Sequence, residues 1–168
     1  MAIFKADEIL QFAKRVEENG EKFYRHAAEI TEDEEARYLF NHLADEEIKH
    51  GQIFAGMLAN LDLLSRMEAQ APAETYPGEY YSYLRNYIDG SVIFTRSAES
   101  DFRDIRDTLA AINFAIDREV DSILYYTEIK RIVPSQQHKT IDGIIDEERR
   151  HFMQLSDYKK DYEKRSGR

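Results

Sequence analysis

A chain of 168 residues with no cysteine is one domain's worth of sequence without disulfide or thiolate chemistry, so any metal must be held by histidine and carboxylate. Its formal charge of -10 leaves no surplus of Lys and Arg to neutralise phosphates, which argues against nucleic acid as a partner. No stretch approaches eighteen apolar residues, and the first residues lack a signal-peptide pattern, so a soluble cytoplasmic protein away from the membrane is expected.

Only three prolines, at positions 72, 77 and 134, break long runs of helical periodicity. A first helix is predicted from about Asp7 to Ile30, with Ile9, Ala13, Val16, Gly20, Phe23, Ala27 and Ile30 as its inward stripe. Thr31 with Glu34 forms a candidate capping box for a second helix reaching about Leu64, whose stripe is Ala36, Leu39, Leu43, Phe54, Met57 and Leu61. Residues 65–106 read as a long crossover holding one or two short helices and a tyrosine cluster at Tyr76, Tyr80, Tyr81, Tyr83 and Tyr87. These tyrosines suit a packing patch or a dimer surface.

A third helix is predicted from about Asp107 to Val133, with Ile112, Ile116, Ile123 and Tyr126 inward. Pro134 ends it, and Ser135 is the candidate cap of a fourth helix reaching about Lys164, with Ile141, Ile144, Leu155 and Tyr158 inward. The tail, 159–168, is charged and expected to fray. Two hairpins joined by one long connection predict an all-α, ferritin-like four-helix bundle spanning 1–168 as a single domain.

Within these helices one pattern occurs twice. Asp45-Glu46-Glu47-Ile48-Lys49-His50 returns as Asp146-Glu147-Glu148-Arg149-Arg150-His151, and each copy follows an upstream Glu that has two aromatics six and seven places on. Those are Glu17 with Phe23 and Tyr24, then Glu119 with Tyr125 and Tyr126. Residues three apart on a helix share a face, so Glu47 with His50 and Glu148 with His151 can each converge on one ion. Glu46 and Glu147 reach the same face from four residues before each His.

The heights agree too. The midpoint of Glu17 and Glu47 falls at residue 32, and that of Glu119 and Glu148 between Val133 and Pro134, where the turns are predicted. The ligands in both hairpins thus stand about fifteen residues, or roughly 22 Å, from the bend. Buried charge is costly unless paired or metal-bound. Six charged or polar groups at inward positions therefore ask for one shared explanation, a layer in which four carboxylates and two imidazoles balance two divalent cations such as Fe or Mn, with Zn also accommodated. A single Glu-x-x-His would be expected by accident in so Glu-rich a chain; His26, His42 and His138 lack the repeated context.

Tyr24 and Tyr126 lie two turns beyond Glu17 and Glu119 on the same helix faces, placed to hydrogen-bond a ligand, to donate an electron, or only to pack. Gly20 and Ser122 are small where a bundle normally wants bulk, which leaves room for a small ligand or for close helix packing.

At Glu17, Glu47-x-x-His50, Glu119 and Glu148-x-x-His151 the chain resembles the rubrerythrin branch of the ferritin-like superfamily, from about Asp7 to Lys164. The resemblance implies a non-haem di-iron centre ligated by those six residues, with Glu47 and Glu148 preferred over Glu46 and Glu147. It further implies reaction with hydrogen peroxide or dioxygen in oxidative-stress defence or iron handling. Typical rubrerythrins add a cysteine-rich rubredoxin domain and a Glu three residues after the third-helix ligand; this chain has no cysteine, and Ser122 at that position. The expectation is an oxidoreductase fed by an external electron-donor protein and forming a homodimer. The alternative is an iron-binding, ferroxidase-type protein without peroxidase turnover.

Overall fold

The computed structural model describes residues 6–67, 83, 86, 105–131 and 133–167. Among them the regular elements are all helical: α1 (Ala6–Ile30), α2 (Glu34–Met67), α3 (Thr108–Ile129), a short 3-10 turn (Ser135–Gln137) and α4 (His138–Ser166). α1 packs chiefly on α2, and α3 on α4, as two antiparallel hairpins. Most of the expected crossover lies outside the described residues, including its short helices and its tyrosines other than Tyr83, which is exposed.

The start of α2 differs from the expected capping box. Asp33, two residues beyond Thr31, takes the cap: its Oδ1 accepts from the backbone N–H groups of Glu35 and Ala36, both at 3.0 Å. A carboxylate suits the positive end of a helix better than a hydroxyl. Thr31 is instead buried, accepts from the Asp33 N–H at 3.2 Å and pairs with Thr108 Oγ1 at 2.7 Å, tying the first turn to the start of α3. Asp107 caps α3, accepting from the Ala110 N–H at 2.8 Å.

α3 ends at Ile129, four residues before the predicted Val133; the Val133 N–H still reaches the Ile129 carbonyl at 3.1 Å, and Pro134 disfavours the α conformation at Val133 itself. Ser135 opens the 3-10 turn without a side-chain cap, contrary to expectation. Lys130 and Asp142, 2.5 Å apart, clasp this turn. The tail expected to fray is helical through Ser166 and stops at Gly167, in the left-handed region at φ 67°. Tertiary contacts hold it: Arg165 reaches Glu35 at 2.9 Å, and Tyr158 donates to Asp33 at 2.6 Å.

The turns sit at opposite ends of the bundle. One apolar cluster joins the start of α1, the far part of α2, the end of α3 and the start of α4, through Ile9, Phe54, Tyr126 and Ile141 among others. The second joins the remaining ends through Phe23, Phe40, Ile112 and Leu155. α2 is 34 residues long, or about 51 Å, and its far part lies in the first cluster while the start of α3 lies in the second. Along every helix the six candidate ligands fall between the residues of one cluster and those of the other, forming a polar layer at mid-height.

Candidate metal centre

Glu17, Glu47, His50, Glu119, Glu148 and His151 are each no more than 4% exposed. Their donor atoms gather in two overlapping groups. One comprises Glu47, Glu119, Glu148 and His151, the other Glu17, His50 and Glu148, with all ligating atoms of a group within 4.8 Å of one another. Glu148 belongs to both and is the carboxylate placed to bridge.

Glu148 and His151 share a group, as their helix spacing predicts, but Glu47 and His50 do not. Glu47 joins the group of His151, while His50 faces Glu17 at 3.6 Å and Glu148 at 2.8 Å. His151 Nδ1 stands 3.8 Å from both Glu119 and Glu148. In the first Glu-x-x-His, contacts across the bundle thus override adjacency on one helix.

Three of the six ligands are oriented by hydrogen bonds from outside the set. Tyr24 on α1 donates its hydroxyl to Glu119 Oε1 on α3, and Tyr126 on α3 donates to Glu17 Oε1 on α1. The tyrosines therefore serve the opposite hairpin, not the Glu seven residues before them. Both rings are fully buried, Tyr126 against Phe54 at 5.0 Å and Tyr24 against Phe40 at 6.2 Å. Glu147 lies within 2.7 Å of His50 Nε2, so the rear nitrogen of the first imidazole is held by the acidic neighbour of Glu148. Orientation of a ligand histidine by a carboxylate is a recurrent feature of metal sites.

Burial pushes Glu47 well above the usual carboxylate range, and the facing charges of Glu17 and Glu148 add to it. Glu119 is raised by burial and by Glu148. Burial would also raise Glu17, yet His50 and Glu47 outweigh it and its pKa is lowered. His50, despite burial, is carried up to about 12 by Glu148 and Glu17. Burial lowers His151; Glu119 opposes this and the charge of His50 reinforces it. Tyr24 and Tyr126 are raised far, first by burial and then by nearby carboxylates, so both remain hydrogen-bond donors.

The donor set fits a metal by a direct test. Glu17 Oε2, His50 Nδ1, Glu119 Oε2, Glu148 Oε1 and His151 Nδ1 are buried with no hydrogen-bond partner. His50 Nδ1 and Glu148 Oε1 approach to 2.8 Å without hydrogen-bond alignment, as two atoms aimed at a third would. Metal bonds of about 2.1 Å put neighbouring ligand atoms about 3.0 Å apart at octahedral angles, within the span observed here.

Arg118 is a residue that the sequence pattern did not single out. It is 4% exposed; its Nη2 lies 4.0 Å from Glu47 Oε2 and 3.4 Å from the Val16 carbonyl, and the guanidinium sits 5.8 Å from the Phe23 ring centre. The signal was present: position 118 lies seven residues from both Ala111 and Tyr125, on the inward stripe of α3. Gly20 makes way for it. A Cβ there would stand 2.5 Å from Arg118 Nη2 and 2.8 Å from Glu47 Cδ, so close side-chain packing accounts for this glycine.

A cavity of about 210 Å³ opens between α1 and α2, lined by Glu17 and Glu47 together with Lys14, Glu18, Glu21, Ile48, Gly51, Gln52 and Ala55. The remaining histidines stay off the layer: His42 is exposed, His26 half-buried, and His138 bonds the Val133 carbonyl at 3.2 Å.

A four-helix bundle with a mid-height layer of buried Glu and His defines a ferritin-like protein of the diiron-carboxylate class. The rubrerythrin family model matches residues 8–105, through the first Glu-x-x-His and up to the edge of α3, and the chain belongs to the rubrerythrin family. The crystal structure of a protein described as a ferritin-like diiron-carboxylate protein, from Thermotoga maritima, is 30% identical with a TM-score of 0.62, covering 95% of this chain and 97% of that one. No curated protein matches. Among the described residues no helix is long and apolar enough to cross a membrane.

Proposed function

We propose that this protein is a non-haem di-iron oxidoreductase that reduces hydrogen peroxide or dioxygen, with Glu17, Glu47, His50, Glu119, Glu148 and His151 as the metal ligands. The observation that carries the reading is the convergence of five unpartnered, buried ligand atoms on two groups that share Glu148. Iron held by these six residues would supply the two electrons that, with two protons, convert one peroxide into two waters, and an external one-electron carrier protein would restore them.

The side chains divide the remaining work. Tyr24 and Tyr126 occupy the Oε1 atoms of Glu119 and Glu17, leaving each Oε2 for the metal. Glu147 accepts from His50 Nε2–H, which keeps the Nδ1 lone pair directed inward once the imidazole is neutral. Apolar clusters on both sides exclude bulk water from the layer. The α1–α2 cavity offers a small oxidant or a cation a path to Glu17 and Glu47.

The lack of cysteine favours one other reading, an iron-binding protein that oxidises ferrous iron for handling and has no peroxidase turnover. Elemental analysis of protein purified without chelator, followed by stopped-flow mixing of the reduced form with peroxide and with dioxygen, separates the two. The oxidoreductase should bind two irons, react faster with peroxide and turn over when given a reductant. A single oxidation without turnover supports iron handling, and failure to bind iron overturns both.

A further inference from the structure

A guanidinium is charged at every accessible pH and presents five donors in a rigid fork, so burying one without a close partner is costly. Arg118 is buried yet poorly served. Its neighbours are the Val16 carbonyl, the Phe23 ring and Glu47, and its Nε has no partner. Its compensation is the negative charge of the ligand layer, with Glu47 nearest. The hollow at Gly20 reinforces this, because a side chain there would collide with both Glu47 and Arg118.

Metal entering the layer changes this balance. Four ionised Glu neutralise two divalent ions, so Arg118 becomes one surplus positive charge and Glu47 is claimed twice. We propose that Arg118 is the resident counter-cation of the metal-free layer, a positioning residue that competes with metal for Glu47. It thereby weakens the position formed by Glu47, Glu119, Glu148 and His151 relative to the one formed by Glu17, His50 and Glu148. The two positions then fill in order, one tight and one readily emptied.

This role for Arg118 rests on the di-iron reading of the site, and the experiment keeps the two apart. Full-length wild-type protein, R118M and R118K are stripped with chelator and titrated with Mn²⁺ alone, and each is melted with and without the metal. Wild type should bind two ions in two resolved steps; binding of none would overturn the site itself. In R118M the weaker step should tighten tenfold or more, the metal-free form should melt lower than wild type, and the loaded form no lower. R118K keeps the charge and should stay within threefold of wild type. Two wild-type ions with an R118M weaker step that is unchanged or weakened would overturn the role of Arg118 while leaving the site intact. If metal-free R118M does not fold, it is refolded with Mn²⁺ and metal release to chelator is timed. Slower release than wild type supports the inference, and equal or faster release overturns it.

Discussion

The hydroxyl of Tyr24 on α1 is donated to Glu119 on α3, while Tyr126 on α3 donates to Glu17 on α1. Each hairpin thus steadies a ligand that belongs to the other. Replacing either Tyr by Phe strips the donor from a fully buried carboxylate oxygen and frees that carboxylate to rotate. Each variant should weaken metal binding by about tenfold to a hundredfold, Y24F at the position that includes Glu119 and Y126F at the one that includes Glu17. Competition titration with Mn²⁺ resolves the two steps; unchanged affinity in both variants would reduce the tyrosines to packing.

Glu148 is the one residue common to both ligand groups, whereas Glu17 belongs to one. Glu148→Ala should leave neither position tightly bound, and Glu17→Ala should keep one ion. Elemental analysis after loading and desalting reads the stoichiometry. Two ions retained on the Glu148 variant would remove it from the ligand set.

Gly20→Ala reverses the usual sign of its substitution. In an ordinary helix interior the change stabilises by about 1 kcal/mol. Here the added carbon would press on the ends of the Glu47 and Arg118 side chains, which are buried and have little room to withdraw. A net loss of about 1–3 kcal/mol is expected from overpacking. Urea unfolding measures it, and a gain in stability would mean that the hollow is not filled by that pair.

Asp33 gives a pH dependence outside the metal layer. Burial would raise its carboxyl, but the Tyr158 hydroxyl, the Ala36 N–H and the charge of Arg165 hold it below its usual value. A pKa depressed in the folded state contributes stability above the unfolded value of about 3.8, and that stability is lost as pH falls through the lowered value. Asp33→Ala should cost about 1 kcal/mol at pH 7 as a lost cap, and the gap from wild type should narrow below about pH 4. Solvent screening keeps the charge-dependent part small. Denaturant midpoints for both proteins between pH 7 and 3 test this, a constant gap being the contrary result.

The ligand layer is legible in the sequence because buried charge is rare and here recurs at matched heights in two halves. The helices are legible for the same reason that they form, a sustained apolar stripe on each. Arg118 and Glu147 are legible only in part: Arg118 falls on the inward stripe of α3 and Glu147 on the face of His151, but neither position names what it will touch. Their partners Glu47 and His50 come from another hairpin. The cap of α2 lies two residues from its expected place because Thr31 and Asp33 both satisfy local rules, and only the Thr31–Thr108 bond distinguishes them. The C-terminal segment looks unstructured by composition, and its order depends on Asp33 and Glu35.

The two halves repeat at an offset of about 102 residues, which makes Val16 the counterpart of Arg118, and the Arg118 guanidinium touches the Val16 carbonyl. Counterparts that meet lie close to the axis relating the halves. Were the bundle assembled from two identical hairpins, an arginine at this place would face its own copy, and two buried cations would repel at close range. One chain carrying both halves escapes that constraint, because each position can change alone. The buried arginine is thus an asymmetry open to a tandem chain and closed to a symmetric pair, through which two equivalent seats become two different ones.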